Sequence, residues 1–164
     1  MARLTPDENS KIHIVDSIGT ISAPTIGEIN AGTEVTEFLT PAGFDTPEEG
    51  NDADTSSIAS AHDTSVPATV SGQPSGEFYR DDGTGSTSDD AWDAMARLTT
   101  TNIVISRFGG SGTDNAIIAA DTVEVWPVRV SSRSAGRIVR GEALRFVAQF
   151  AKSVAPTLTA TVAA

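Results

Sequence analysis

Residues 142–151 read EALRFVAQFA, and their alternation decides the fold class. Leu144, Phe146, Ala148 and Phe150 fall on one face, and Arg145, Val147 and Gln149 fall on the other. A period of two with large apolar groups on one side marks a half-buried strand. Two earlier stretches are of the same kind, residues 101–108 (TNIVISRF) and 121–130 (DTVEVWPVRV). Pro127 lacks an amide hydrogen and is expected at an edge or a bulge. The C-terminal half is therefore expected to be strongly β.

Moving toward the N-terminus, residues 89–98 form the one clear helix candidate. Ser88 is placed to cap it, Asp89 and Asp90 complement the dipole of its first turn, and Trp92, Met95, Ala96 and Leu98 make an apolar stripe that packs on a sheet. Residues 64–70 (TSVPATV) and 76–80 (GEFYR) read as strands. Before them, residues 40–61 read as a long acidic loop punctuated by Pro41, Gly43, Pro47 and Gly50. Loops of this length in a compact domain are usually functional or disordered, and an assembling protein could order one only against its neighbours. Residues 33–39 suggest a short strand. Residues 22–32 suggest a helical turn with Pro24 at its first position and Gly32 as a left-handed stop. Residues 11–18 suggest a strand with Ile12 and Ile14 on one face and His13 and Val15 on the other. One domain is expected over 1–164, with an N-terminal arm at 1–10 and an extended C-terminal tail at 152–164. Such a tail can pair with a sheet or reach a neighbour. No internal repeat is detectable.

A chain of 164 residues buries roughly 70% of the surface it exposes when unfolded. It needs neither disulfide nor metal to fold, and it has no cysteine, which removes thiolate catalysis, iron–sulfur clusters and cysteine-ligated zinc. No apolar run approaches the ~20 residues that span a bilayer, and MARLTPDE carries no apolar signal region, so no membrane contact and synthesis in a cytosol are expected.

The formal charge is −11, from 22 acidic and 11 basic residues. That balance opposes tight binding along a nucleic-acid backbone, though not a surface that nucleic acid passes without sticking. The charges are also segregated. Asp45, Glu48, Glu49, Asp52 and Asp54 lie in a stretch without lysine or arginine, whereas Arg129, Arg133, Arg137, Arg140 and Arg145 face a single acid, Glu142. Two solvated stretches would explain this. So would an acidic segment of one subunit meeting a basic segment of the next, an arrangement that fixes register and partner choice. These ten residues are the candidate inter-subunit contacts.

Sites for chemistry are sparse. His62 precedes Asp63 and serines are plentiful, but no G-x-S-x-G elbow accompanies them. Asp52, Asp54, Ser56, Ile58, Ser60 and Asp63 have the spacing of a calcium loop, yet Ser57 stands where the turn requires glycine. Asp81, Asp82, Asp89 and Asp90 suit a turn and a helix start. Gly109-Gly110-Ser111-Gly112 lacks the lysine of a phosphate loop and reads as a flexible hairpin turn. No catalytic residue, cofactor or metal is therefore expected.

Several stretches, taken in order, carry a family resemblance: residues 22–39 (SAPTIGEINAGTEVTEFL), 40–47 (TPAGFDTP), 78–83 (FYRDDG) leading into Asp90-Ala91-Trp92, 121–128 (DTVEVWPV), and 145–164 with its P-x-L-x-A-x-V-A-A ending. Together they resemble major tail tube proteins of long-tailed (siphovirus-type) bacteriophages that infect actinobacteria. Residues 109–118 and 50–62 match least. The resemblance implies a mainly β fold, a β-sandwich or partial barrel with one flanking helix. It implies six copies in a ring, rings stacked into a hollow tube, and DNA passing through to the host. It also implies tail terminator, tape-measure and distal tail proteins as partners, and a place in the virion after synthesis in the host cytoplasm. No catalytic residues come with it.

The composition suits that role. Closing sheets across subunits removes exposed strand edges, and an acidic lumen lets DNA slide. Residues 64–80 and 137–150, polar on one alternating face, are expected to supply the lumen strands. Other readings remain at this stage. One is a capsid decoration or head–tail completion protein, and another a carbohydrate-binding adhesive β-sandwich. The latter calls for exposed aromatics, of which the chain has few beyond Trp92, Trp126 and Tyr79.

Overall fold

Side-chain alternation along the central strands sends neighbouring residues into two different apolar clusters on opposite faces of one sheet. The computed structural model describes residues 9–56, 65–80 and 89–164. In chain order the elements are β1 (Lys11–Val15), α1 (Ile26–Ala31), β2 (Thr33–Glu34), a 3-10 turn at Thr36–Phe38, β3 (Leu39–Asp45), β4 (Glu49–Asp54), β5 (Ser65–Ser71) and β6 (Ser75–Tyr79). There follow α2 (Asp90–Ala94), β7 (Thr100–Ser106), a second 3-10 turn at Thr113–Asn115, β8 (Thr122–Ala135), β9 (Arg145–Lys152) and β10 (Thr157–Thr161).

Eight strands form one antiparallel sheet in the order β2-β1-β7-β8-β9-β6-β3, with β10 also on β8. The long β8 organises it. One edge pairs with β7 over Glu124–Arg129, and the other takes β10 along Thr122–Val125 and then β9 along Val128–Ala135. Pro127 sits in the changeover between these two partners. Its carbonyl accepts from the Ser153 amide at 2.9 Å. The expected edge or bulge is thus a junction inside a central strand.

Ile12, Ile14, Ile103, Ile105, Trp126, Val128, Val130, Phe146, Ala148 and Phe150 fill the larger cluster, with Phe78, Val35 and Met95. Val15, Val104, Val123 and Val125 point the other way, onto Ile29 of α1 and Ala160 and Val162 of the C-terminal segment. Burial of each large side chain contributes about 1.5–3 kcal/mol, so the two clusters provide most of the drive to fold. In the larger one, Phe78 stacks on Phe146 at 5.4 Å and Trp92 meets the same ring edge-on at 5.1 Å.

Several local expectations need correction. The flanking helix is present but short as α2, and the helical turn expected at 22–32 is a second short helix, α1. The α2 helix stops at Ala94, because Leu98 adopts φ 69° and its amide bonds the Val130 carbonyl, leading the chain into β7. Trp92 and Met95 pack in the core as the stripe implied, whereas Leu98 is exposed. Asp89 is the N-cap residue, but its carboxylate binds Arg80 rather than backbone amides; Ser88 lies outside the described residues. In α1 the cap is Thr25, not Pro24 at the first position. Thr25 and Glu28 form a reciprocal capping box, in which the Thr25 amide donates to Glu28 at 2.8 Å and the Glu28 amide donates to the Thr25 hydroxyl at 3.2 Å. Gly32 is extended, not left-handed. It is glycine because a Cβ there would stand 2.6 Å from the Ile14 carbonyl oxygen. Residues 33–39 give only the two-residue β2 before the 3-10 turn. Leu144 lies outside β9 and is half-exposed.

The largest correction concerns residues 40–61. Their described part is not a loop: β3 pairs with β6, and β4 pairs with β5 from Glu49↔Ser71 to Asp54↔Ser65. The sequence hides this because β4 (EGNDAD) has no apolar face, and every one of its residues is exposed. Residues 57–61 lie outside the described residues, as do residues 1–8 of the N-terminal arm. The tail pairs with its own sheet through β10, and Ala163 bridges Thr25.

Candidate assembly surfaces

Three surfaces differ from an ordinary solvated exterior. The first is the face of β6, β9 and the end of β8 that points away from the larger cluster. It presents Ser75, Glu77 and Tyr79 from β6, and Arg145, Val147 and Gln149 from β9, paired Ser75↔Gln149 through Tyr79↔Arg145. Thr40 adds its hydroxyl, which donates to Glu77 at 2.8 Å. Arg145 lies 3.7 Å from the same carboxylate and 5.5 Å over the Tyr79 ring. The face is polar and nearly neutral, because its one arginine is matched by Glu77.

A register shift in β8 between Val130 and Ser132 shapes its border. One extra residue reverses the parity, so Ser132 and Ser134 join the polar face while Arg133 turns inward. Arg133 then lies 3.7 Å over the Trp92 ring and donates to the Trp92 carbonyl, and Arg80 covers the ring at 4.1 Å while bound to Asp89. Two guanidiniums thereby clamp α2 to the sheet. Nothing in the sequence announces this, since the bulge that permits it has no residue signature.

The second surface is the β4–β5 hairpin. It forms its own two-stranded sheet, with Glu49, Asp52, Asp54, Val66 and Val70 exposed. Its base is fixed: Gly72 (φ 129°) passes against the Pro47 carbonyl, and Arg107, ion-paired with Glu124, donates to the Thr46 hydroxyl at 2.7 Å. Asp54 accepts from the Ser56 amide at 2.8 Å, and the Ser56 hydroxyl and amide together hold its carboxyl below the usual range. The third surface is the nine-residue connection 136–144 between β8 and β9, with Arg137, Ile138 and Arg140 exposed.

The ten candidate contact residues divide accordingly. Among the described residues, none of the five arginines bonds any of the five carboxylates within the chain. Arg129 donates to the Leu98 carbonyl at 3.1 Å, and Arg133 and Arg145 are engaged as above. Among the described residues, Arg137 and Arg140 have no ion pair, and Glu48 is 4.0 Å from Lys152.

The chemical candidates place as follows. His13 is half-buried in β1. Burial pushes its pKa down, Glu34 raises it, and Lys11 lowers it further. It has no carboxylate–serine partner set. His62 and Asp63 lie outside the described residues, as do Asp81, Asp82 and the second half of the calcium-like stretch; Asp52 and Asp54 are in β4. Among the described residues, no three His, Asp or Glu side chains gather to hold a metal, and no helix is long and apolar enough to cross a membrane. The glycine-rich stretch 109–112 is no flexible turn. The Gly110 and Gly112 amides bond the Asn115 and Ala116 carbonyls, and Ser111 is tied to the buried Asp121 carboxylate.

The fold thus leaves open one polar sheet face, a separate two-stranded hairpin and a cleft of about 730 Å³ lined from β1, β3, β6 and β7 by Ile12, Phe44, Tyr79 and Ile105. No curated protein matches the chain. A family model described as phage tail tube protein matches residues 1–164. The chain belongs to that family. Two solved structures share the fold. A chain from the tail of an empty GTA particle, computed with helical refinement and C6 symmetry, has 13% identity and a TM-score of 0.57, covering 96% of this chain and 100% of that one. A chain from the sixfold-symmetrised baseplate of the anti-feeding prophage has 10% identity and a TM-score of 0.52, with 94% and 95% covered. The tail tube protein is thus a structural component of the phage tail, with its place in the virion.

Proposed function

We propose that six copies of the chain close into a ring, that rings stack into the hollow tube of a long-tailed phage of actinobacteria, and that DNA passes through without being held. The observation that carries this reading is the β4–β5 hairpin, with all of β4 and the described side chains of β5 exposed in the single subunit. An isolated two-stranded hairpin is marginal in water, so this one calls for a neighbouring copy. The hexameric ring is supported by the sixfold symmetry of both structural relatives. Contacts within a ring close on themselves, whereas contacts between rings stay open and propagate.

The face of Ser75, Glu77, Tyr79, Arg145, Val147 and Gln149 is assigned to the lumen. Its chemistry is hydroxyl, amide and one matched ion pair, which gives phosphates little to hold. The strands differ from the sequence expectation in one respect: β5 belongs to the hairpin, so β6 and β9 carry the face. The acidity expected of the lumen is not on this face, where Glu77 is matched by Arg145, and three of the acids, Glu49, Asp52 and Asp54, lie on the exposed hairpin. The subunit acts without catalysis or cofactor, is made in the host cytoplasm, and meets tail terminator, tape-measure and distal tail proteins at the ends of the tube.

Negative-stain microscopy of the purified protein is expected to show tubes of uniform diameter. A monodisperse small particle at all concentrations would count against the assembly. In a tube map, the lumen is expected to show β6 and β9; a lumen lined by residues 121–130 would sink the assignment.

A further inference from the structure

At the far end of β9 from residues 136–144 lies a cleft of about 510 Å³, walled by Val70, Val154, Pro156 and Leu158 with Glu48 and Lys152 at its side. Val70, Val154 and Leu158 are exposed by 63, 60 and 45%, a concentration of apolar surface that a free monomer does not need. Lys152 is drawn down over the Trp126 ring at 5.3 Å and its side chain is only 16% exposed, so the more exposed Glu48 carboxylate stands at the rim, with the exposed Glu49 next to it in the chain. At the opposite end, Ile138 is 83% exposed, the most exposed of the large hydrophobic residues among the described ones, and it stands between Arg137 and Arg140. An apolar knob flanked by cations thus faces away from an apolar cleft flanked by acids.

We propose that Ile138 of one copy seats in the Val70–Val154–Leu158 cleft of the next, with Arg137 and Arg140 meeting Glu48 and Glu49. This rests on the self-assembly reading above and gives it a specific contact. The occupant is a second copy because both halves of the complementary pair belong to the same sequence, in charge as well as in apolar surface. A copy cannot fill its own cleft: the eight residues of β9 separate knob from cleft by roughly 25 Å. Two different patches at opposite ends make a heterologous, head-to-tail contact, the kind that generates rings or filaments rather than closed dimers. The apolar contact supplies affinity, and the charges fix register.

The chain has no cysteine, so the contact can be tested by cross-linking. Tubes of the Ile138→Cys, Val154→Cys double variant, treated with a short bismaleimide, are expected to give a ladder of covalent multimers. Either single variant in tubes, like the unassembled double variant, is expected to stay monomeric, because residue 138 of one copy meets residue 154 of the next and only the double variant has a thiol at both. Tubes that form normally and give no ladder overturn the contact. So do tubes in which Val154→Cys cross-links only after another tail protein is added. A wild-type protein that forms no tubes would instead remove the assembly reading, which keeps the two failures distinct. As a second arm, Arg137→Glu with Arg140→Glu is expected to raise the concentration needed for assembly by about tenfold or more, with the monomer still folded. Adding Glu48→Arg and Glu49→Arg to the same chain is expected to restore it; a quadruple variant as impaired as the double one overturns the pairing.

Discussion

The Asp121 carboxylate accepts from the Ser111 hydroxyl, from the Ser111 amide at 3.0 Å and from the Ile118 amide at 2.8 Å, and so holds the β7–β8 connection together. Burial pushes its pKa up, but the bonds from Ile118 and Ser111 outweigh burial and keep the carboxyl below the usual range. A carboxyl with a depressed folded-state pKa contributes stability that is present above its unfolded value, near ~3.9, and is lost as pH falls through the lower folded value. Both amides donate to Oδ2, where an asparagine oxygen can replace it, but Asp121→Asn removes the charge that strengthens these bonds and puts an NH2 where Oδ1 accepted the Ser111 hydroxyl, at a cost of about 2 kcal/mol at pH 7. Urea unfolding of the dilute monomer is expected to show that gap at pH 7 and to show it narrowing once the wild-type carboxyl protonates. A gap of the same size at low pH would mean that the carboxylate charge is not what holds the loop. The sequence pointed at neighbouring residues for another reason, the glycines at 109–112. Their role emerged only from what they approach, since a Cβ on Gly110 would stand 1.8 Å from the Ala116 carbonyl oxygen.

At the scale of elements, α1 separates two roles that look alike in sequence. Thr25→Ala removes one half of a capping box and is expected to cost about 1 kcal/mol. Gly32 has an ordinary φ of −80°, where replacing glycine by alanine normally stabilises by reducing the freedom of the unfolded chain. Here the sign reverses. The added methyl meets backbone at 2.6 Å and the Val15 side chain at 2.7 Å, so Gly32→Ala is expected to destabilise by about 2 kcal/mol. Thermal unfolding of both variants checks the order, and a Gly32→Ala protein as stable as wild type would refute the close approach. The elements legible beforehand were those with one wet and one dry face, such as Phe146-Val147-Ala148-Gln149-Phe150. Those hidden had either two wet faces, as Glu49–Asp54 does, or a parity change, as in β8. Alternation assigns Arg129 and Arg133 to the same face. The shift between Val130 and Ser132 sends Arg133 onto Trp92 instead, and so removes it from the free cations. Of the five arginines that composition marked, only folding could single out Arg137 and Arg140, because engagement with a carbonyl, a ring or a cross-strand carboxylate depends on register.

For the whole molecule, the distribution of stability matters as much as its sum. β7 and β8 are buried on both faces, with Val104 and Val125 on one side and Ile103 and Trp126 on the other, so their amides exchange only when the sheet opens. Among the described residues the β4–β5 hairpin has no third strand, and its carboxylates repel one another along one edge. In the monomer, its amides at residues 49–54 and 65–71 are therefore expected to exchange orders of magnitude faster than those of β7 and β8. A neighbouring copy that covers the hairpin changes this without altering the rest of the fold, because its pairing is already formed and only its exposure is relieved. Hydrogen exchange of the two states should therefore leave β7 and β8 unchanged while the hairpin gains protection in the tube. Part of that gain should weaken as salt is added, since Glu49, Asp52 and Asp54 carry the charge that a basic neighbour would meet. Equal hairpin protection in monomer and tube would remove it from the interface. A gain that is indifferent to salt would leave the hairpin there but assign its contact to Val66 and Val70.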